Sequence, residues 1–173
     1  MAKLTFITGG ARSGKSRLAE ELAHGYGAPL GYLATGRAGD AEMAERITRH
    51  QARRGPAWKT IEEPLDLAGA VRVLEGNVNA ILVDCVTLWL TNLLMLHGHG
   101  AKVLDEVKSL IRLAAGLKTP LLLVSNEVGM GIVPENALAR AFRDLAGDAN
   151  ELLAGAADEV YVVFSGLPLK LKG

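Results

Sequence analysis

The chain has 173 residues, which is close to the length of one ordinary domain, roughly 100–200 residues. Nineteen Lys and Arg balance nineteen Asp and Glu, so the formal net charge is zero and no global field attracts a polyanion. We therefore expect no nucleic acid as the main partner. The lone cysteine, Cys85, excludes an internal disulfide and a zinc site built from several thiolates.

The apolar segments are too short for export or membrane insertion. Leu4–Thr8 is shorter than the apolar core of a signal peptide, and Val86–Leu96 is about half of the ~20 residues that a membrane span needs. We expect a soluble protein of a reducing compartment, the cytoplasm, without stable membrane insertion. Zero net charge does little for solubility and favours self-association. The segment Val86–Leu96 is apolar on most faces, which suits a helix buried against another subunit.

The hydrophobic pattern predicts an α/β fold. Five nearly continuous apolar runs are typical of strands that are buried on both faces of a parallel sheet: Leu4–Thr8, Leu30–Ala34, Ala80–Asp84, Leu121–Ser125 and Val160–Phe164. Apolar spacings of three and four predict helices over residues 15–24, 40–54, 65–75, 101–115 and 135–155. The alternating tail, Leu167–Leu171, predicts an edge strand. Because nothing resembling a linker interrupts the pattern, we expect one domain over residues 1–173.

A phosphate-binding loop lies between the first predicted strand and the first predicted helix. The pattern G-x-x-x-x-G-K-[ST] is matched at every fixed position by Gly9, Gly10, Ala11, Arg12, Ser13, Gly14, Lys15 and Ser16. The glycines let backbone N–H groups turn toward a phosphate. In this pattern the lysine reaches the β- and γ-phosphates and the serine hydroxyl binds Mg²⁺.

Polar residues follow two later apolar strands. Asp84 ends Ile81–Asp84 as the acid of a Walker B element does, which predicts a role at Mg²⁺, although Asp is also a common helix N-cap. Ser125-Asn126-Glu127 ends the next strand, at the sheet edge where α/β proteins bind ligands. These three residues either position a substrate or close a turn.

The remaining motifs favour a compact transferase among P-loop proteins. In a GTP switch a glycine follows the Walker B acid after a short spacing, but here the sequence is Asp84-Cys85-Val86-Thr87. The motif that recognises guanine begins with Asn-Lys, and no Asn in the chain is followed by Lys. Assembly ATPases carry extensions for which 173 residues leave little room.

The basic segment Arg37–Arg54 contains a histidine, His50. Met43, Ile47 and His50 share one helical stripe, and Arg46, Arg49 and Arg53 lie on the adjoining face. Guanidinium groups beside an imidazole suit a phosphate ligand and favour the neutral, nucleophilic ring. Structural histidines and solvated arginine faces are common, so spacing leaves both interpretations of His50 open.

Blocks along nearly the whole chain resemble the bifunctional adenosylcobinamide kinase/adenosylcobinamide-phosphate guanylyltransferases of cobalamin biosynthesis. The blocks, in family order, are Ile7–Ser16, Arg46–His50, Trp58–Glu62, Val83–Leu93, Val124–Gly129, Ala139–Asp144, Asn150 and Gly166–Lys170. The loop alone is generic, whereas its combination with the later blocks is specific.

The resemblance implies a RecA-like P-loop fold, a homotrimer and two reactions. Adenosylcobinamide is phosphorylated with ATP or GTP, with Lys15 as a catalytic residue and Ser16 and Asp84 at Mg²⁺. GMP is then transferred from GTP through a guanylyl-His50 intermediate to adenosylcobinamide phosphate, giving adenosylcobinamide-GDP. Besides the loop, the positions that match nucleotide contacts are Thr35, Gly36, Arg37, Gln51, Ala52, Arg53, Arg54, Glu62 and Asp84.

Two other interpretations of the residues remain open. A simple P-loop small-molecule kinase needs only the loop and Asp84, with a structural His50. A nucleotide-gated binding module needs the loop without turnover.

Overall fold

A computed structural model describes residues 2–36 and 55–173. The strands are β1 (Leu4–Gly9), β2 (Leu30–Ala34), β3 (Trp58–Glu62), β4 (Ala80–Asp84), β5 (Leu121–Asn126), β6 (Glu159–Phe164) and β7 (Leu167–Lys172). The helices are α1 (Lys15–His24), α2 (Leu67–Leu74), α3 (Val86–His97), α4 (Gly100–Ala114) and α5 (Ala137–Ala156).

The strands form one sheet in the order β3-β2-β4-β5-β1-β6-β7, parallel except for β7. The predicted α/β class is therefore confirmed, and all five apolar runs form parallel strands. The tail pairs antiparallel with β6 at the sheet edge, as its alternation predicts. The helix predicted over residues 40–54 lies outside the described residues.

The sequence pattern missed β3. Its central residues Lys59 and Thr60 are exposed and only Trp58 is buried, because this strand lies at the edge of the sheet. An edge strand carries no continuous apolar run, so the pattern that found the buried strands does not find it.

Two apolar clusters cover the two faces of the sheet. Alternate residues of β4, such as Ile81 and Leu82, belong to opposite clusters, as the pleat requires. The larger cluster packs α2, α3, α4 and α5 on one face, and the smaller one packs α1 on the other. None of the helices within the described residues is long and apolar enough to cross a membrane.

Helix α3, the apolar segment that suggested a subunit contact, is buried largely within its own chain. Val86, Trp89, Leu90 and Leu93 are at most 3% exposed and belong to the larger cluster. The interpretation of this segment as a helix is correct. Contacts within the chain account for the burial of most of its apolar side chains, so burial against another subunit is not needed to explain them.

The parallel arrangement brings six strand ends to one edge. β1 and β5 are neighbours in the sheet, but the connections that follow them run in opposite directions. The connection from β1 to β2 crosses β5 and β4 on one face of the sheet, and the connection from β5 to β6 crosses β1 on the other face. Adjacent strands whose connections diverge leave a crevice at their carboxyl ends, where open α/β sheets bind ligands. The phosphate-binding loop follows β1 at this crevice.

An ion pair network ties the sheet edge together. The Glu159 carboxylate lies 2.6 Å from Nζ of Lys170 on β7 and 2.8 Å from Nζ of Lys3. Hydrogen bonds from Lys170 and then Lys3 lower the pKa of Glu159 below its ordinary value of 4.5. A lowered pKa means that the stabilisation is present above the unfolded value and is lost as pH falls through the folded one.

We expect Glu159→Gln to lower the thermal midpoint by about 1–3 °C at pH 7, since exposed ion pairs contribute little. The difference should vanish as pH falls through the lowered folded pKa of Glu159, because the carboxylate is then protonated in both states. Thermal melts at several pH values test this, with exposed Glu151→Gln as control. An effect of the same size at every pH would contradict an electrostatic origin.

Candidate nucleotide-binding site

The phosphate-binding loop is folded as its sequence predicts. Gly14 and Arg12 have left-handed backbone conformations (φ 97° and 56°), and Lys15 begins α1 directly after Gly14. No side chain of the described residues caps this helix, so its first N–H groups face the crevice. Such N–H groups and the helix dipole favour a bound phosphate.

Neighbouring strands hold the loop closely. The Gly9 carbonyl accepts a hydrogen bond from Glu127 N–H (3.1 Å), and the Ser13 carbonyl accepts one from Gly166 N–H in the β6–β7 turn (2.8 Å). A Cβ on Gly9 would lie 2.6 Å from the Val163 carbonyl oxygen and 2.7 Å from Ser13 Oγ. Only glycine fits at this position.

Polar side chains inside the loop suit an oxygen-rich ligand. Lys15 is 8% exposed and donates from Nζ to the Gly10 carbonyl (3.0 Å), which keeps its ammonium group beside the loop. The hydroxyls of Thr8 and Ser13 are buried and have no hydrogen-bond partner within the described part of the chain. Buried hydroxyls without partners are costly, so a ligand that supplies partners is favoured.

Asp84 ends β4 at the same edge of the sheet. Cys85, not Asp84, is the N-cap of α3, so the capping interpretation of Asp84 is wrong. The Asp84 carboxylate is half-buried and accepts a hydrogen bond from the Tyr32 hydroxyl (3.1 Å). This carboxylate and the half-buried Ser16 hydroxyl are hard oxygen donors of the kind that Mg²⁺ prefers, together with substrate phosphates.

The described residues hold no group of three or more His, Cys, Asp or Glu that could bind a metal ion. A Mg²⁺ ion on a phosphate loop needs only one or two protein ligands, because phosphate oxygens and water complete its shell. The donor set of Ser16 and Asp84 therefore fits such an ion.

Thr35 has a structural part in this edge. Its buried hydroxyl donates to the Cys85 carbonyl (2.7 Å) and accepts from Cys85 N–H (3.0 Å). The Thr35 carbonyl accepts from the Asn92 side chain (2.9 Å). Thr35 thus joins β2 to the start of α3 and places Gly36 beside the end of β4.

The other predicted contacts divide into two groups. Glu62 is exposed at the end of β3. It pairs in register with Ala34, the last residue of β2, which directly precedes Thr35 and Gly36. Arg37, His50, Gln51, Ala52, Arg53 and Arg54 lie outside the described residues. The structure thus collects Gly9–Ser16, Thr35, Gly36, Glu62 and Asp84 at one edge.

Cys85 directly follows Asp84, and its thiol is buried. Desolvation, followed by the charge of Asp84, raises the pKa of Cys85 to about 11. The thiol is therefore protonated at neutral pH and is a poor nucleophile.

A cavity of about 330 Å³ opens beside the loop. It is lined by Gly9–Ser13, Glu127, Met130, the end of β6 from Val162 to Phe164 and the following Ser165. Of Ser125-Asn126-Glu127, only Glu127 reaches it, since Ser125 is buried below.

The fold and the loop define a RecA-like P-loop nucleotide-binding protein. The flagellar accessory protein FlaH of Methanocaldococcus jannaschii aligns with a TM-score of 0.53 at 19% identity, over 98% of this chain and 78% of that one. The RadB recombinase aligns with a TM-score of 0.51 at 14% identity, over 92% and 73%. At these identities the likeness concerns the fold.

Sequence comparison gives the family. Residues 5–171 match the model of cobinamide kinase/cobinamide phosphate guanyltransferase. The bifunctional adenosylcobalamin biosynthesis protein CobP of Pseudomonas aeruginosa is 46% identical over 96% of both chains. The corresponding protein CobU of Escherichia coli is 42% identical over 98% of this chain and 99% of its own. The chain belongs to this family of bifunctional transferases, as the resemblance of its sequence blocks implied.

The close packing at Gly9 yields a test with a matched control. We expect Gly9→Ala to reduce nucleotide affinity at least tenfold, because its Cβ would displace the loop. A Cβ on Gly10 meets nothing within 4 Å, so Gly10→Ala should bind nearly as the wild type does. Titration with a fluorescent ATP analogue measures both, and equal affinities would contradict the importance of this packing.

Proposed function

We propose that the chain phosphorylates adenosylcobinamide with ATP or GTP and then transfers GMP from GTP to the product, giving adenosylcobinamide-GDP. The observation that carries this proposal is the complete phosphate loop, Gly9–Ser16, at the same sheet edge as Asp84. Family membership over residues 5–171 supports both transfers.

In the kinase step, the acceptor hydroxyl forms a bond to the γ-phosphorus and the bond to the β,γ-bridging oxygen breaks. The loop N–H groups and the Lys15 ammonium stabilise the charge on the transferred phosphoryl group by positioning and electrostatics. Ser16 and Asp84 hold Mg²⁺, which neutralises charge on the phosphate oxygens when it is bound. Tyr32 orients the Asp84 carboxylate for this task.

In the guanylyl step, an imidazole nitrogen of His50 attacks the α-phosphorus of GTP, and pyrophosphate leaves. A phosphate oxygen of adenosylcobinamide phosphate then attacks the same phosphorus and releases His50. A covalent intermediate divides one difficult displacement into two easier ones. The match of Arg46–His50 to the family block supports His50 in this role.

GTP is proposed to lie along the edge from the loop toward β3. The supporting positions are Thr35, Gly36, Arg37, Gln51, Ala52, Arg53, Arg54, Glu62 and Asp84. The backbone of Thr35 and Gly36, rather than the engaged Thr35 hydroxyl, is suited to contact the nucleotide.

The chain is further proposed to act in the cytoplasm as a homotrimer, without nucleic acid or a membrane as partner. Zero net charge and exposed apolar side chains support self-association. Leu167, Leu169 and Leu171 on β7 are 74%, 56% and 60% exposed. Such a row of leucines at a sheet edge is typical of a surface that another protein covers.

A labelling experiment tests the nucleophile. With Mg²⁺ and α-labelled GTP, the wild type should form an acid-labile, base-stable adduct, and His50→Ala should form none. His99→Ala, at the exposed N-cap of α4, is the control and should label normally. An adduct that persists in His50→Ala excludes His50 as nucleophile. A wild type without any adduct favours a plain kinase if it phosphorylates adenosylcobinamide, and a binding module if it does not.

The metal assignment makes a separate prediction. Asp84→Asn removes a negative charge and should raise the Mg²⁺ concentration for half-maximal phosphorylation at least tenfold. Titration of phosphoryl transfer with Mg²⁺ measures this change. Asp66→Asn is unsuitable as a control because Asp66 caps α2, so exposed Asp105→Asn serves instead. An unchanged Mg²⁺ requirement would remove Asp84 from the metal site.

A further inference from the structure

Glu127 has no part in the roles described so far, yet it lines the cavity beside the phosphate loop. It is the only carboxylate among the described residues that line this cavity. Its N–H donates to the Gly9 carbonyl, so its backbone is fixed to the first residue of the loop. A phosphate on the loop and a group beside Glu127 would therefore share one space.

A buried hydrogen-bond network fixes the strand end that carries Glu127. Ser125 Oγ donates to Asn150 Oδ1 (2.7 Å) and lies 3.3 Å from Thr87 Oγ1. Thr87 Oγ1 accepts from Asn126 N–H (2.7 Å), and the Asn150 amide donates to the Asn126 carbonyl (3.2 Å). Side chains from α3 and α5 thus hold both backbone groups of the residue before Glu127. Buried polar networks of this kind define a single arrangement.

The charge of Glu127 is unfavourable beside phosphates unless a proton donor lies between them. Two anionic groups in a partly buried site repel each other. An alcohol resolves this conflict, because its hydroxyl donates to the carboxylate while its oxygen faces the phosphorus. The carboxylate accepts one hydrogen bond from within the described residues, from Gly129 N–H (3.1 Å), which leaves further acceptor sites.

The rest of the cavity is suited to an acceptor with an apolar arm. Met130 and Phe164 are 76% and 52% exposed at its mouth, and Val163 lies within. A volume of about 330 Å³ takes a short alcohol-bearing side arm, so a bulky acceptor would lie outside against Met130 and Phe164. The lining also includes the cation Arg12 and the hydroxyl groups of Ser13 and Ser165, and Glu127 is the one carboxylate among the described lining residues that can take a proton from a neutral alcohol.

We infer that Glu127 is the catalytic residue that orients and deprotonates the acceptor alcohol in the kinase step, and that the cavity holds the arm of that alcohol. This inference rests on the proposed function. The hydroxyl oxygen forms its bond to the γ-phosphorus as the bond to the leaving nucleoside diphosphate breaks. The hydroxyl proton passes to the Glu127 carboxylate and then to water.

Measuring both reactions in the same variant distinguishes a catalytic role of Glu127 from a structural one. Glu127→Gln keeps the size and the backbone hydrogen bond but cannot accept the proton, so kcat for adenosylcobinamide phosphorylation should fall about 100-fold or more. Guanylylation of the protein by GTP requires no acceptor alcohol and should stay within about threefold of the wild type, as should the Kd for ATP. Exposed Glu135→Gln in the same loop is the control and should change neither reaction.

Phosphorylation by Glu127→Gln within threefold of the wild type would overturn the inference. An equal loss of both reactions would also overturn it, because that result indicates a disturbed loop. Absence of phosphorylation by the wild type would instead overturn the proposed function, and the inference with it. The wild-type measurement therefore distinguishes the two failures.

A second variant tests the cavity independently of the proton. Phe164→Ala removes an apolar wall and should raise KM for adenosylcobinamide about tenfold, with kcat and the Kd for ATP little changed. An unchanged KM would place the acceptor arm elsewhere.

Discussion

The close packing of Gly9 between two neighbouring strands is the constraint on which the site depends. Its carbonyl is held by Glu127 N–H on one side, and its Cα faces the Val163 carbonyl on the other. The loop therefore leaves the sheet in one direction only. Because Ser13 is tied in turn to the β6–β7 hairpin, both limbs of the loop are fixed by residues distant in sequence. A rigid cradle of this kind meets the need of phosphoryl transfer for positioning.

Two carboxylates at this edge, Asp84 and Glu127, lie in different surroundings that suit different roles. Asp84 lies two strands from β1 and is held by a tyrosine hydroxyl, which suits a metal ligand. Glu127 directly follows the adjacent strand, β5, and lines the cavity together with Met130 and Phe164, which suits an acceptor with an apolar arm. Metal and acceptor would thus approach the phosphate from different sides of the loop. This separation gives an enzyme with two transfer reactions a fixed centre and two distinct approaches.

The sequence predicted the parts of the fold that local pattern encodes. Continuous apolar runs identified the buried strands, and the loop motif identified the tight turn between β1 and α1, since both signals lie in adjacent residues. Strand β3 was missed because three of its five residues are exposed. The contacts of Thr87, Ser125 and Asn150 join positions 25 and 38 residues apart. No periodicity encodes such contacts, so the placement of Glu127 at the cavity beside the loop could be seen only in the fold.

The buried thiol of Cys85, next to Asp84, has a practical consequence. Cys85 is the single cysteine of the chain, and burial with a pKa of about 11 keeps it protonated and out of reach of thiol reagents. The native protein therefore behaves as a natural cysteine-free background. A cysteine introduced on an exposed surface would carry a fluorophore or spin label alone, so conformational change on nucleotide binding becomes accessible to spectroscopy without removing a native residue.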